Sequence, residues 1–241
     1  MLTSLCMTIF ADPPTAAPAA PPPHGTSIPK PAADDDTGYQ LIFDGKTLTG
    51  WDGDPKFWSV KDGAITGQTT KENATKHNTF IFWKDKVGDF ELHMKCREVD
   101  GNSGIQYRSK RLPGWVAAGY QCDMGPGKNH NAKLFDEHGK RGFICTAGQK
   151  VTISADGKKE VVSSDAVVPK FADGLDDKEW HNYVIIAKGH HLQHLIDGHL
   201  IIDCTDEDKE HAALTGVLGF QIHAGHPMMV QFKDIEIKKL D

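Results

Sequence analysis

Phe90-Glu91-Leu92-His93-Met94-Lys95-Cys96-Arg97 alternates one apolar with one polar residue over its whole length. Successive side chains of an extended chain point to opposite sides, so this run reads as a strand with one buried face and one wet face. The same period recurs on either side of it. Residues 183–187, 190–196 and 199–203 read as three further strands joined by tight turns. Asp-Gly pairs starting at Asp44, Asp52, Asp62, Asp100, Asp156, Asp173 and Asp197 punctuate the chain, and Asp-Gly supplies the positive backbone angles that short hairpin turns require. No segment carries a sustained helical stripe. Many strands around one core predict an all-β fold, a two-sheet antiparallel sandwich.

The first 37 residues differ in kind. Eight of the thirteen prolines lie between Pro13 and Pro31, among alanines, and such a segment has little to bury and few backbone donors. It reads as a Pro/Ala-rich linker over residues 12–37 leading into a folded body over 38–241. Residues 2–11 have the apolar core and small-residue end of a secretion signal without the usual positive leader. The expectation is an exported protein, periplasmic or extracellular, with a truncated or atypical signal segment over residues 1–11. Cys96, Cys122, Cys145 and Cys204 would remain after removal of that segment. Two disulfides are permitted, and four small buried thiols are the favoured reading.

Charge excludes some partners. Lys and Arg number 27 against 33 Asp and Glu, for a formal net charge of -6, so a surface built to grip nucleic acid phosphates is not expected. No window approaches the ~18 consecutive apolar residues of a membrane-spanning helix.

Three strands are informative for what points away from the core. In residues 104–108, Ile105 and Tyr107 face one way and leave Gln106 and Arg108 on the other. In residues 120–124, Tyr120, Cys122 and Met124 leave Gln121 and Asp123; in residues 218–223, Leu218, Phe220 and Ile222 leave Gln221 and His223. The opposite faces thus carry Gln-x-Arg, Gln-x-Asp and Gln-x-His. Amides both donate and accept, as sugar hydroxyls do, and a carboxylate or imidazole beside them can move protons.

Six motifs then occur in order: Leu41-Ile42-Phe43-Asp44-Gly45-Lys46-Thr47-Leu48-Thr49-Gly50-Trp51, Gly88-Asp89-Phe90-Glu91-Leu92, Asn102-Ser103-Gly104-Ile105-Gln106-Tyr107-Arg108, Gly119-Tyr120-Gln121-Cys122-Asp123, Glu179-Trp180-His181-Asn182-Tyr183 and Gly219-Phe220-Gln221-Ile222-His223. In these the chain resembles the 3-keto-disaccharide hydrolase family, over essentially residues 38–241. The resemblance implies a concanavalin A-like jelly roll with a concave sheet lined by polar residues. Many relatives carry Glu-x-Gln where this chain has Gln121-x-Asp123.

The chemistry implied by the resemblance needs three groups. A ketone at C3 of a glycoside acidifies the C2 hydrogen, the glycosidic oxygen then leaves C1 by elimination, and water adds afterwards. A base near C2, a donor at the enolate oxygen and an acid for the departing oxygen are required. His223 is the candidate base and Arg108 the candidate for the oxyanion. Asp123 could orient His223, ligate a metal or act as the acid. Asn102, Gln106, Gln121 and Gln221 would position hydroxyls. Trp115 is a candidate stacking surface for a pyranose, with a plain core cover as the alternative. Glu137 and Arg141 lie on a turn-rich segment at the candidate rim, or form a solvated ion pair at four-residue spacing. No cofactor is assigned, and a divalent metal is left open. His190, His191, His194 and His199 crowd one hairpin and read as solvated strand positions. The expected partner is an oligosaccharide or glycoside substrate; the alternative function is a carbohydrate-binding module using the same face without chemistry.

Overall fold

The computed structural model describes residues 38–125 and 131–240; the leader and linker expected within residues 1–37 lie outside the described residues. Strands are numbered in chain order. One sheet runs β12 (Lys159–Ser164), β11 (Gln149–Ile153), β15 (His199–Asp206), β14 (His191–Ile196), β13 (His181–Lys188), β6 (Phe90–Val99), β17 (Met229–Lys239), β4 (Ala64–Gln68), β3 (Trp58–Lys61), with β1 (Gln40–Leu41) on β17. The other runs β10 (Phe143–Cys145), β9 (Leu134–Glu137), β8 (Val116–Met124), β7 (Ser103–Leu112), β16 (Gly216–Ile222), β5 (Thr79–Val87), β2 (Trp51–Asp52). Pairing is antiparallel except between β11 and β15.

Alternation decides what lies between the sheets. Phe90, Leu92, Met94 and Cys96 of β6 meet Tyr107, Tyr120, Cys122 and Phe220 of the second sheet in one continuous core. Phe220 stacks on Phe232 at 4.0 Å between ring centroids and on Trp51 at 5.0 Å, tying β16 to β17 and β2. The four described cysteines are buried free thiols.

Two of the Asp-Gly pairs close hairpins as expected. Asp62-Gly63 joins β3 to β4 and Asp197-Gly198 joins β14 to β15, all four residues having positive φ, as a type I′ turn requires. The β13–β14–β15 meander matches the alternating runs of the sequence. A short helix, α1 (Val167–Asp173), departs from the all-strand expectation; it spans seven residues and buries only Ala172 among its own, too little for a periodic stripe. No helix among the described residues is long and apolar enough to cross a membrane.

His194 is not solvated. It is fully buried, its Nδ1–H donates to the Ala132 carbonyl at 2.8 Å, and Nε2 therefore accepts from the Tyr107 hydroxyl at 2.8 Å. Burial pushes its pKa down to about 4, so it serves as a neutral bridge between the two sheets.

Candidate functional site

Registers in the second sheet place the amides in rows. Gly219 of β16 lies opposite Gln106 of β7, and Gln106 opposite Gln121 of β8. One step along the same strands, Gln221 pairs with Phe80, and Gly104 pairs with Asp123. Continuing the β7–β16 register puts Gln221 beside Gly104. Gly104 has no side chain because Gln121 lies over it: a Cβ there would stand 2.4 Å from the Gln121 amide carbon.

The row is wired in one direction. Ser109 Oγ donates to Gln106 Oε1 at 2.6 Å, Gln106 Nε2 to Gln121 Oε1 at 2.7 Å, and Gln121 Nε2 to Asp123 Oδ1 at 3.1 Å. Each amide uses its oxygen as acceptor and its nitrogen as donor, so the chain of dipoles ends on the carboxyl of Asp123. Burial is nevertheless the largest influence on that carboxyl. With the charge of Glu137 in support, it pushes the Asp123 pKa up to about 7 against the pull of Gln121 and Lys133.

Glu137 reaches this face by curvature. Its strand β9 is separated from β5 by β8, β7 and β16, which in a flat sheet would put the two roughly 19 Å apart. Yet Asn78, just before β5, donates from Nδ2 to Glu137 Oε1 at 3.0 Å. The sheet must curl for these side chains to meet, and the curl helps shelter the Gln106, Gln121 and Gln221 amides, all buried. Asn78 Oδ1 also accepts from the Ala224 N–H at 3.0 Å, so one side chain ties Glu137 to the segment carrying His223.

His223 directly follows β16 and is exposed. Its Nδ1 lies 2.6 Å from the Ala224 carbonyl; a carbonyl only accepts, so the proton is on Nδ1 and the neutral ring leaves Nε2 with a lone pair. His223 and Asn102 line a common cleft at the end of the sandwich.

Gln221 differs from the other amides. It is fully buried, and neither Nε2 nor Oε1 has a hydrogen-bond partner.

Two residues expected here lie elsewhere. Between Gln106 and Lys110 the register of β7 against β8 shifts, three residues of β7 opposing two of β8. Arg108 sits in that bulge with φ +47°. The extra residue breaks the alternation and turns the guanidinium off the amide row. Nε donates to Gly88 O at 2.7 Å, Nη1 to Gly189 O at 2.6 Å and Nη2 to Asp89 Oδ1 at 2.7 Å, with the side chain fully buried. Arg108 therefore clamps the β5–β6 and β13–β14 turns and does not face a ligand on the amide row. Gly216 accommodates the bulge, since a Cβ there would lie 2.3 Å from the Arg108 carbonyl carbon.

Arg141 likewise parts from Glu137. Its Nη1 donates to Asp206 at 2.6 Å and its Nε to Asp136 at 3.3 Å, while Asp206 also accepts from the Tyr120 hydroxyl at 2.5 Å. Neighbours in a strand face opposite ways, so Asp136 and Glu137 carry their partners to opposite sides of β9.

Trp115 is half-buried beside Phe80, the residue of β5 that pairs with Gln221. Its indole N–H donates to Asp52 Oδ1 at 3.0 Å, its carbonyl accepts from the Phe80 N–H at 2.8 Å, and the ring packs with Phe80, Phe82 and Ala117 in a second apolar cluster. Arg111 pairs with the same Asp52 and lies over Phe82. Among the described residues, no three His, Cys, Asp or Glu side chains are grouped to hold a metal ion.

Residues 38–238 match the 3-keto-alpha-glucoside-1,2-lyase-like domain. The chain belongs to this family. A curated relative, the 3-keto-disaccharide hydrolase of Bacteroides thetaiotaomicron, is 25% identical over 251 residues, covering 86% of this chain and 80% of the relative. Among solved structures, a carbohydrate binding module of Bacillus subtilis superposes with a TM-score of 0.51 at 15% identity, covering 79% of this chain and 96% of its own. A beta-glucanase of Bacillus licheniformis superposes with a TM-score of 0.51 at 10% identity, covering 84% and 97%. These two likenesses show the fold, a concanavalin A-like two-sheet sandwich. In this member of the family, Asn78 escaped the sequence reading because it lies in a connecting segment with no alternation. Glu98 did leave a signal: it continues the buried phase of Phe90, Leu92, Met94 and Cys96, where a carboxyl is out of place.

Proposed function

We propose that the chain cleaves the glycosidic bond of 3-keto-glycosides, disaccharides among them, by elimination followed by hydration. Gln221 is the observation that carries this reading. A buried amide with both atoms unpaired costs about 1–3 kcal/mol for each group left unsatisfied, and such orphans in native proteins ask for a partner not yet present. It lies between Phe80 and Gly104, the glycine that the Gln121 side chain covers, two residues before His223. Asp123 stands two strand spacings away, roughly 10 Å. Gln121 lies over Gly104 in that interval, so Gln221, Gln121 and Asp123 form one polar row for a pyranose ring to lie across.

In this reading Nε2 of His223 takes the C2 proton of the 3-keto sugar. The electron pair of that C–H bond forms the C2–C3 double bond and places negative charge on the C3 oxygen, which accepts from Gln221 Nε2. Collapse of the enolate re-forms the ketone, shifts the double bond to C1–C2 and expels the glycosidic oxygen, which takes the proton of Asp123. Water then adds across C1–C2, hydroxyl to C1 and proton to C2. A carboxyl with a pKa of about 7 is matched to donate and recover a proton near neutrality. Gln106 and Gln121 hold Asp123 and meet hydroxyls, and the Trp115, Phe80 and Phe82 cluster supplies an apolar wall.

Incubation with a 3-keto-disaccharide, with and without chelator, is expected to release the departing sugar, carrying the former glycosidic oxygen, and a 3-keto sugar with a free hydroxyl at C1. The chelator arm reads whether a divalent metal takes part. A protein that binds oxidised disaccharides and never cleaves them would instead be a binding module.

A further inference from the structure

We propose that the cleft at the end of the sandwich, opening beside His223, is the subsite for the departing sugar, and that Glu98 at its base reads that sugar's hydroxyls. The inference rests on the proposed cleavage and names where the second ring sits. The cleft, of about 790 Å³, is walled by the end of β6, the β6–β7 turn, the segment between α1 and β13, and the His223–Ala224 connection. That volume is within the range of small-molecule sites. It shares Asn102 and His223 with the reaction face, so a ring bound there adjoins the one being cleaved.

Glu98 gives the cleft its chemistry. It is 3% exposed, and neither carboxyl oxygen has a hydrogen-bond partner. A carboxyl in the buried phase of a strand is unfavourable unless something pairs with it. Asp177 is held against it: the Glu98 N–H donates to the Asp177 carbonyl at 2.7 Å, and Asn131 Nδ2 fixes the Asp177 carboxylate at 2.9 Å. Burial, with Asp177, Asp123 and Asp100 nearby, pushes the Glu98 pKa up to about 8. The side chain is therefore a neutral acid near neutral pH, one O–H donor beside an acceptor, which matches a pair of vicinal hydroxyls. Acidic neighbours on the same wall disfavour an anionic ligand. The ligand class is a neutral hexose.

The test compares a 3-keto-disaccharide with methyl 3-keto-glucoside, which has no second ring. Glu98→Ala is expected to lower kcat/KM at least ~10-fold on the disaccharide, the worth of one or two neutral hydrogen bonds, and to change the methyl glycoside less than ~2-fold. Glu98→Gln keeps a donor and an acceptor and is expected to stay within ~3-fold of wild type on both. An equal loss on both substrates in Glu98→Ala would overturn the proposal in favour of a structural role. A loss in Glu98→Gln as large as in Glu98→Ala would overturn it in favour of an ionised carboxylate that binds a cation. Should the wild type cleave neither compound, the cleavage reading has failed, and calorimetric titration with glucose decides the subsite separately. Weak binding abolished by Glu98→Ala supports it; no binding to the wild type overturns it.

Discussion

Asp123→Asn is expected to lower kcat on a 3-keto-disaccharide by ~10²–10⁴-fold, the usual contribution of a positioned acid or base, while leaving the fold intact. Asn preserves the acceptor for Gln121 Nε2 and the shape of the site but has no acidic proton to give. Stability should move the other way, and the sign follows from linkage. The Asp123 pKa rises from 3.8 to about 7 on folding, so the folded protein resists the ionisation that the unfolded chain undergoes freely. The resulting cost is absent below about pH 4, grows as pH rises between the two pKa values and is complete above about pH 7. Melting temperatures of wild type and Asp123→Asn should therefore converge near pH 4 and diverge toward pH 8, with the variant melting higher. Thermal unfolding across that range, alongside turnover, checks both halves. A variant that lost activity and melted lower at pH 8 would mark Asp123 as a structural partner.

Arg108→Met should reveal the opposite profile. The substitution keeps an apolar stem but removes the donors held by Gly88, Gly189 and Asp89. Loss of a buried charged clamp costs several kcal/mol; Asp89 is about a third exposed and can recover water, so about 3 kcal/mol is the expected net effect. For a domain of this size that corresponds to a melting temperature ~6–12 °C lower. At a temperature where the variant is folded, kcat should stay within ~2-fold of wild type. A guanidinium on the enolate oxygen would instead show as a fall of ~10²-fold or more in kcat, so the two roles separate cleanly by kinetics on folded protein.

The contrast between Asp123 and Arg108 marks how far the sequence could be read. Period-two alternation put Gln106, Gln121, Asp123 and Gln221 on one face, and their registers bear this out. The same alternation put Arg108 there as well and failed two residues after Gln106, because one inserted residue with positive φ changes the phase and nothing in Tyr107-Arg108-Ser109 marks a bulge. Glu137 and Arg141 show a related limit: spacing along the chain says nothing of facing once the segment is a turn. Curvature is another. Asn78 meets Glu137 across three intervening strands, a contact that depends on how strongly the whole sheet curls. Glu98 was legible in principle, since an acid in phase with Leu92, Met94 and Cys96 violates the pattern around it.

The central claim is that this polar, curled sheet face removes the C2 proton of a 3-keto glycoside and later returns one. The most direct measurement is cleavage of a 3-keto-disaccharide in D₂O, with deuterium located in the released 3-keto sugar and in recovered substrate. The account expects deuterium at C2 of the product at each turnover, with the label lost together with activity in Asp123→Asn and His223→Ala. Product bearing its original C2 hydrogen would mean direct displacement at C1 and would contradict it.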